Sequence, residues 1–152
     1  MKPRMEFWKA APNAYKAMMA VDAYLHESVD KTLLHLIKLR ASQMNGCAYC
    51  IDMHWKDARA AGETEQRLYG LDAWREAPYY SDSERAVLEW TEALTDIQDG
   101  HAPEAVYEAV RAHFSDKELA DLSWAIAAIN AWNRVAIGFR SEAGSYRVRT
   151  HG

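Results

Sequence analysis

The chain has 152 residues, 49% of them hydrophobic and 26% charged, which suits one globular domain with a core large enough to fold without a metal or disulfide staple. Its 18 basic and 22 acidic residues leave a net charge of −4, and no cluster of Lys and Arg awaits a phosphate backbone, so nucleic acid is not an expected partner. The amino-terminal run Lys2-Pro3-Arg4-Met5-Glu6-Phe7-Trp8 has no apolar signal-peptide region, and nowhere do about 18 uncharged apolar residues follow one another. No membrane contact and a cytoplasmic location are therefore expected.

Every long segment repeats its apolar residues with a period near 3.6 and none alternates as a strand does, so the expected fold class is all-α. After a short amino-terminal arm, Pro12 opens a helix carrying Tyr15, Met18, Met19 and Leu25 and ending near Glu27. Asp30 is an N-cap for a second helix with Leu33, Leu34, Leu36, Ile37 and Leu39, interrupted by Asn45-Gly46. A third runs from about Cys47 to Gly62, and short helical turns fill Thr64 to Trp74. Pro78 and the capping box Ser81-x-x-Glu84 then open a helix bearing Val87, Trp90, Leu94 and Ile97, closed by Gly100. Pro103 begins another. Ser115-x-x-Glu118 is a second capping box, ahead of the longest apolar helix, about Leu119 to Phe139. Leu122, Trp124, Ile126, Ile129 and Trp132 make that helix apolar almost all round, which predicts neighbours on most sides and, in so short a chain, an oligomer. No repeat, linker or low-complexity tract divides the sequence, so residues 1–152 read as one domain.

The only two cysteines are Cys47 and Cys50. So close a pair is a poor structural staple, because the loop it closes is too short to constrain the unfolded chain. On a helix, positions 47, 50 and 54 are i, i+3 and i+7, which sets both sulfurs and the His54 ring on one face. Cys47 falls at the helix N-terminus, where unpaired N–H groups and the macrodipole stabilise a thiolate, as a nearby imidazolium would; thiol pKa values in such settings fall from about 8.5 to roughly 3.5–7.5. One thiolate can then attack an electrophilic sulfur or a peroxide oxygen, and the second thiol resolves the product as an internal disulfide, with no cofactor. A neutral His54 could serve as general base. The residues alone leave two alternatives open: zinc held by Cys47, Cys50, His54 and His35, or two buried thiols with no chemistry.

Among the remaining polar residues, Asn130 and Asn133 interrupt the most apolar helix and need partners on neighbouring helices or a subunit. The six tryptophans read as core or interface packing. His26, His101, His113 and His151 lie near predicted helix ends or the terminus and read as solvated. Arg134, Arg140, Arg147 and Arg149 are too dilute for a nucleic-acid patch.

The run Leu39-Arg40-Ala41-Ser42-Gln43-Met44-Asn45-Gly46-Cys47-Ala48-Tyr49-Cys50-Ile51-Asp52-Met53-His54 resembles the signature of the alkyl hydroperoxidase D-like branch of the carboxymuconolactone decarboxylase superfamily. Lys9-Ala10-Ala11-Pro12, the stretch from Ala61 to Leu68, Trp74-Arg75-Glu76-Ala77-Pro78 and Ile129-Asn130-Ala131-Trp132-Asn133-Arg134 are also similar to that branch's single-domain members, so the resemblance covers nearly the whole chain. It implies an all-helical fold assembled as trimers or hexamers. It also implies a disulfide-cycling peroxidase without haem or flavin, serving antioxidant defence, that takes a small hydroperoxide or disulfide and draws electrons from a dithiol reductant or redox partner protein. By the same resemblance Cys50 attacks peroxide, Cys47 resolves and exchanges with the reductant, and His54 belongs to a proton relay. The sequence departs from the pattern twice. His35 stands twelve residues before Cys47, where the branch carries its relay glutamate, and Tyr49 replaces a histidine sometimes found before the second cysteine. A His35–His54 pair could still pass protons in its place, and the other reading of His35 is a packed core histidine. Two other classes stay open beside the peroxidase: a lactone decarboxylase like the founding members, and a non-enzymatic zinc or redox-sensing binder.

Overall fold

A computed structural model describes residues 2–148; the readings of Arg149 and His151 lie outside the described residues. The described chain is helical throughout, with no strand. A single helical turn, α1 (Phe7–Ala10), occupies the arm for which sequence predicts no element, and α2 (Pro12–Ser28) follows with Pro12 in its first turn. Then come α3 (Lys31–Asn45), α4 (Ala48–Ala60), α5 (Glu65–Tyr69), a 3₁₀ turn over Leu71–Ala73, α6 (Asp82–Thr95), α7 (Glu104–Arg111) and α8 (Asp116–Phe139). None of the helices is long and apolar enough to cross a membrane.

The local signals act where the sequence puts them. The Asp30 side chain accepts from the Leu33 N–H at the start of α3, and both capping boxes close reciprocally at Ser81–Glu84 and Ser115–Glu118. Gly46 ends α3 in the left-handed conformation, φ 67°, which glycine adopts at no steric cost. The expected extension of α6 to Gly100 is not observed. The helix stops at Thr95, and Ile97 lies beyond it, 46% exposed. Thr95 is the last residue of α6 with a buried partner, its Oγ1 accepting from Asn130 Nδ2 at 2.9 Å. Past it, Asp-Ile-Gln-Asp-Gly offers weak helix formers and no apolar face to hold further turns.

The centre of the molecule is α3, enclosed on three sides. Leu33, Leu34, Ile37 and Ala41 join Val87 and Trp90 of α6 and Leu122, Ile126 and Ile129 of α8 in the larger core cluster. Leu36 and Leu39 face a second cluster with Ala58 of α4, Leu68, Leu71 and Trp74. The third side is polar: His35, Lys38 and Ser42 are buried and Asn45 half-buried, and their i, i+3, i+7, i+10 spacing lines them up in one stripe. Two turns of buried polar groups on a central helix are costly unless partnered, and their partners define the site.

Candidate functional site

Asn45 and Gly46 turn the chain from the end of the α3 stripe directly into the cysteine pair. Cys47 is the N-cap of α4, and its backbone N–H donates to Ser42 O at 3.0 Å. Cys47 and Cys50 form a disulfide with their Cα atoms 5.3 Å apart. The Cys50 N–H points at Cys47 Sγ, 3.3 Å away. One free helix-start N–H therefore aims at this sulfur, the arrangement that favours negative charge on it once the bond is reduced. Both cysteines are buried, 1% and 2% exposed, against Ala136 of α8 and Tyr49.

An amide network holds this corner to α8. Asn133, fully buried, donates from Nδ2 to Ser42 Oγ at 3.0 Å, while Ser42 Oγ donates to Lys38 O at 2.6 Å. Asn45 Nδ2 donates to both Asn133 Oδ1 and Asn130 Oδ1 at 2.9 Å. Asn130 reaches on to Thr95, and Arg134 Nη1 donates back to Asn130 Oδ1 at 3.0 Å. The expectation that these asparagines tie helices together holds within one chain.

His54 lies one turn after Cys50 on the same face and is buried, 6% exposed. Burial first, then the positive charge of Lys38 and the rings of His35 and His26, hold its pKa well below 6.5. The ring is thus neutral at physiological pH. In this disulfide-bonded state burial disfavours the imidazolium, and a neutral ring can accept a proton. His35, 8% exposed, is brought from α3 into the same electrostatic neighbourhood, and its Nε2 is a buried nitrogen without a hydrogen-bond partner. Its pKa is also lowered, by burial first, with Asp57 opposing and Lys38, His26 and Lys31 adding to the shift. No hydrogen bond joins the two rings among the described residues. His35 also lines a surface pocket of about 290 Å³, with Lys31, Thr32, Gly62, Glu63 and Arg67. Among the described residues no three His, Cys, Asp or Glu side chains converge as metal ligands require, so the alternative tetrad of Cys47, Cys50, His54 and His35 is not assembled.

Two features escape a reading of the sequence. His26 is exposed, as expected near a helix end, but its Nε2 sits 3.3 Å from Nζ of the buried Lys38. Residues of the carboxyl-terminal segment strap α4 from outside: Tyr146 donates its hydroxyl to Asp57 Oδ1 at 2.6 Å, Lys56 Nζ donates to Tyr146 O and the Gly144 N–H to Asp52. The Asp22/His26 spacing of i, i+4 was the one local hint of the Lys38 contact.

These features define the class, a helical protein with a disulfide-bonded Cys-x-x-Cys pair at a buried helix start and two histidines whose pKa values burial lowers. The carboxymuconolactone decarboxylase family matches residues 10–93. The chain is 44% identical over 146 residues to the uncharacterized protein YdfG of Bacillus subtilis (strain 168), covering 95% of this chain and 99% of that protein. A crystal structure from Agrobacterium tumefaciens, of a protein of unknown function provisionally described as the antioxidant defence protein AhpD, superposes with a TM-score of 0.92. That protein is 47% identical, with 95% of this chain and 100% of that chain covered. An uncharacterized peroxidase-related protein from Ralstonia eutropha, described as an alkylhydroperoxidase AhpD core, gives a TM-score of 0.79 over 91% of this chain and 75% of that chain. At 21% identity that likeness is one of fold. The chain belongs to the carboxymuconolactone decarboxylase family, in its alkyl hydroperoxidase D-like branch.

Proposed function

We propose that this protein is a thiol-dependent peroxidase and disulfide oxidoreductase of antioxidant defence, cycling Cys47 and Cys50 between dithiol and disulfide. The observation that carries the reading is the buried Cys47–Cys50 disulfide capping α4 one turn before a neutral His54. The reaction balances without a cofactor: two thiols and ROOH give one disulfide, ROH and water. Cys50 is the attacking thiol, a role supported by His54 four residues on along the same helix face, which would take the thiol proton. The Cys50 thiolate displaces RO⁻ from the peroxide, the proton returns to the leaving oxygen, and a Cys50 sulfenic acid is left. Cys47 attacks that sulfur and expels water. A dithiol reductant or redox partner protein then exchanges with Cys47, whose thiolate the helix start stabilises. His35, brought in from α3, completes the relay, and the substrate is a small hydroperoxide or disulfide.

The whole chain, residues 1–152, is read as one such domain working in the cytoplasm as a homo-oligomer, a trimer or hexamer. Support for the assembly comes from apolar side chains that one copy leaves in water. Trp124 is 65% exposed, Tyr24 49% and Met19 42%, and a separate apolar groove of about 260 Å³ lies between the amino-terminal arm, α2 and α8. Light scattering at micromolar concentration is expected to give a multiple of 17.3 kDa, and a monomer would refute the assembly.

The test of function is intact-protein mass spectrometry of the reduced chain before and after one equivalent of organic hydroperoxide. The expected result is loss of two hydrogens mapped to the Cys47–Cys50 bridge. Cys50→Ser should not consume peroxide, whereas Cys47→Ser should stall after one oxidation as a sulfenic acid. The reverse pattern would exchange the two roles, and peroxide consumption that survives loss of both cysteines would refute the thiol mechanism.

A further inference from the structure

Both sulfurs of the cysteine pair are sealed. Cys47 is 1% and Cys50 2% exposed, whereas thiol–disulfide exchange requires an attacking thiolate to touch a sulfur of the bond it breaks. A neighbour must therefore move before a hydroperoxide or a dithiol reaches them. Most of the surroundings are fixed. Ala136 is a methyl group on the backbone of α8 and moves only with that helix. Ser42 and Asn133 are fully buried and hydrogen-bonded to each other, and Ser42 is bonded again to Lys38 O. His54 is buried on α4. Tyr49 differs from all of these. It packs against the cluster of Cys47, Cys50 and Ala136 and is only half-buried, so part of its surface covers the pair and part meets solvent. Among the described residues its hydroxyl makes no hydrogen bond and its ring pairs with no other ring, so packing alone holds it in place.

We propose that the Tyr49 ring is the gate of the cysteine pair, closed over the sulfurs in this disulfide form and opened by rotation about its own side-chain torsions, so that its bulk decides which reactants reach them. The proposal rests on the reading of the pair as redox-active and adds how reactants enter. Tyr49 lies in the first turn of α4, between the N-cap Cys47 and Cys50. The backbone there is anchored on both sides, by the Cys47 N–H to Ser42 O at 3.0 Å and the Ile51 N–H to Cys47 O at 2.9 Å, so the ring can turn without fraying the helix. A change of rotamer moves the ring between staggered wells and gives up the contacts of one half-buried side chain, whereas moving α8 would break core packing. A small hydroperoxide needs a narrow and brief opening. A bulky dithiol needs the ring fully displaced. Tyr49 forms and breaks no bond in the reaction, and because its hydroxyl has no partner, a phenyl ring of nearly the same size should cover the pair as well.

The test is the rate at which dithiothreitol reduces the oxidised, folded protein. A thiolate of the reagent attacks one sulfur, the other leaves as a thiolate, and the reagent's second thiol closes its own disulfide, so two electrons pass to the protein. With an open form populated at about 1–10%, removing the cover in Tyr49→Ala should speed reduction by about 10–100-fold. Tyr49→Phe should stay near the wild-type rate. The rates should be flat in urea below the unfolding transition, because turning one ring exposes little surface. An unchanged rate in Tyr49→Ala, a gain that climbs with urea as unfolding does, or a Tyr49→Phe as fast as Tyr49→Ala would overturn the proposal. If Tyr49→Ala does not fold, Tyr49→Leu shortens the cover while keeping an apolar contact, and the same criteria apply. No peroxide enters this assay. A gate found in a protein that consumes no peroxide stands while the peroxidase falls, and peroxide consumption with a reduction rate indifferent to residue 49 refutes the gate alone.

Discussion

Replacing Asn133 by Ala should weaken the whole protein and loosen the cysteine pair in particular. The side chain is fully buried and has two partners, Ser42 Oγ at 3.0 Å and Asn45 Nδ2 at 2.9 Å. Two net hydrogen bonds contribute about 2 kcal/mol, and leaving one Asn45 N–H and one Ser42 lone pair buried and unpaired adds roughly 1 more. Neither neighbour is stripped, because Ser42 still donates to Lys38 O and Asn45 still donates to Asn130. The expected loss is therefore about 2–4 kcal/mol rather than the larger cost of an orphaned buried charge. For a chain of this size that lowers Tm by roughly 5–15 °C. The assay is urea unfolding of the oxidised protein, run as a double-mutant cycle with Ser42→Ala, and a coupling of about 1 kcal/mol is expected between residues that share one hydrogen bond. Because Ser42 O receives the Cys47 N–H, reduction of the disulfide by a small dithiol should be faster in Asn133→Ala than in wild type. A loss below about 0.5 kcal/mol, or strictly additive single mutants, would show that the network does not hold the α3–α4 corner as argued.

Acid should destabilise the protein through its buried histidines. Above about pH 6.5 His54 and His35 are neutral folded or unfolded. Below it the unfolded chain binds protons that the folded chain, with both pKa values lowered, refuses. Stability should then fall by up to about 1.4 kcal/mol per pH unit for each of them; unfolding curves at pH 7.5 and 5.5 measure this, and no flattening in His54→Gln would contradict it. His35→Glu restores a carboxylate beside His54, and if it lies within about 4–6 Å the His54 midpoint should rise by roughly one to three units by NMR; an unmoved midpoint would take residue 35 out of the relay. Gly46→Ala meets no atom within 4 Å but must hold φ at 67°, so unfolding should record a purely conformational loss of about 1 kcal/mol. Ser115→Ala breaks the capping box that starts α8 and should cost roughly 1 kcal/mol in the same assay.

The local features of this protein were determined by its sequence. Capping boxes, the Asp30 cap, the Gly46 stop and the i, i+3, i+7 spacing of Cys47, Cys50 and His54 each depend on residues within two turns of one another, so adjacent side chains fix them whatever the rest of the chain does. The all-helical class follows for the same reason, from apolar period alone. Tertiary structure decided what crosses between helices. α6 ends at Thr95 because Asn130, 35 residues away, is the last partner it finds. Trp124 points outward, although its helix looks apolar all round, because α2, α3 and α6 occupy the other sides of α8. The charge state of the site belongs here too. His54 reads as an imidazolium or a neutral base from its neighbours in sequence and is held toward the neutral form in the fold, since burial and the charge of Lys38 reach it only when α3 packs beside α4. Desolvation and charge act through space, and no spacing along the chain records which distant helix will supply them.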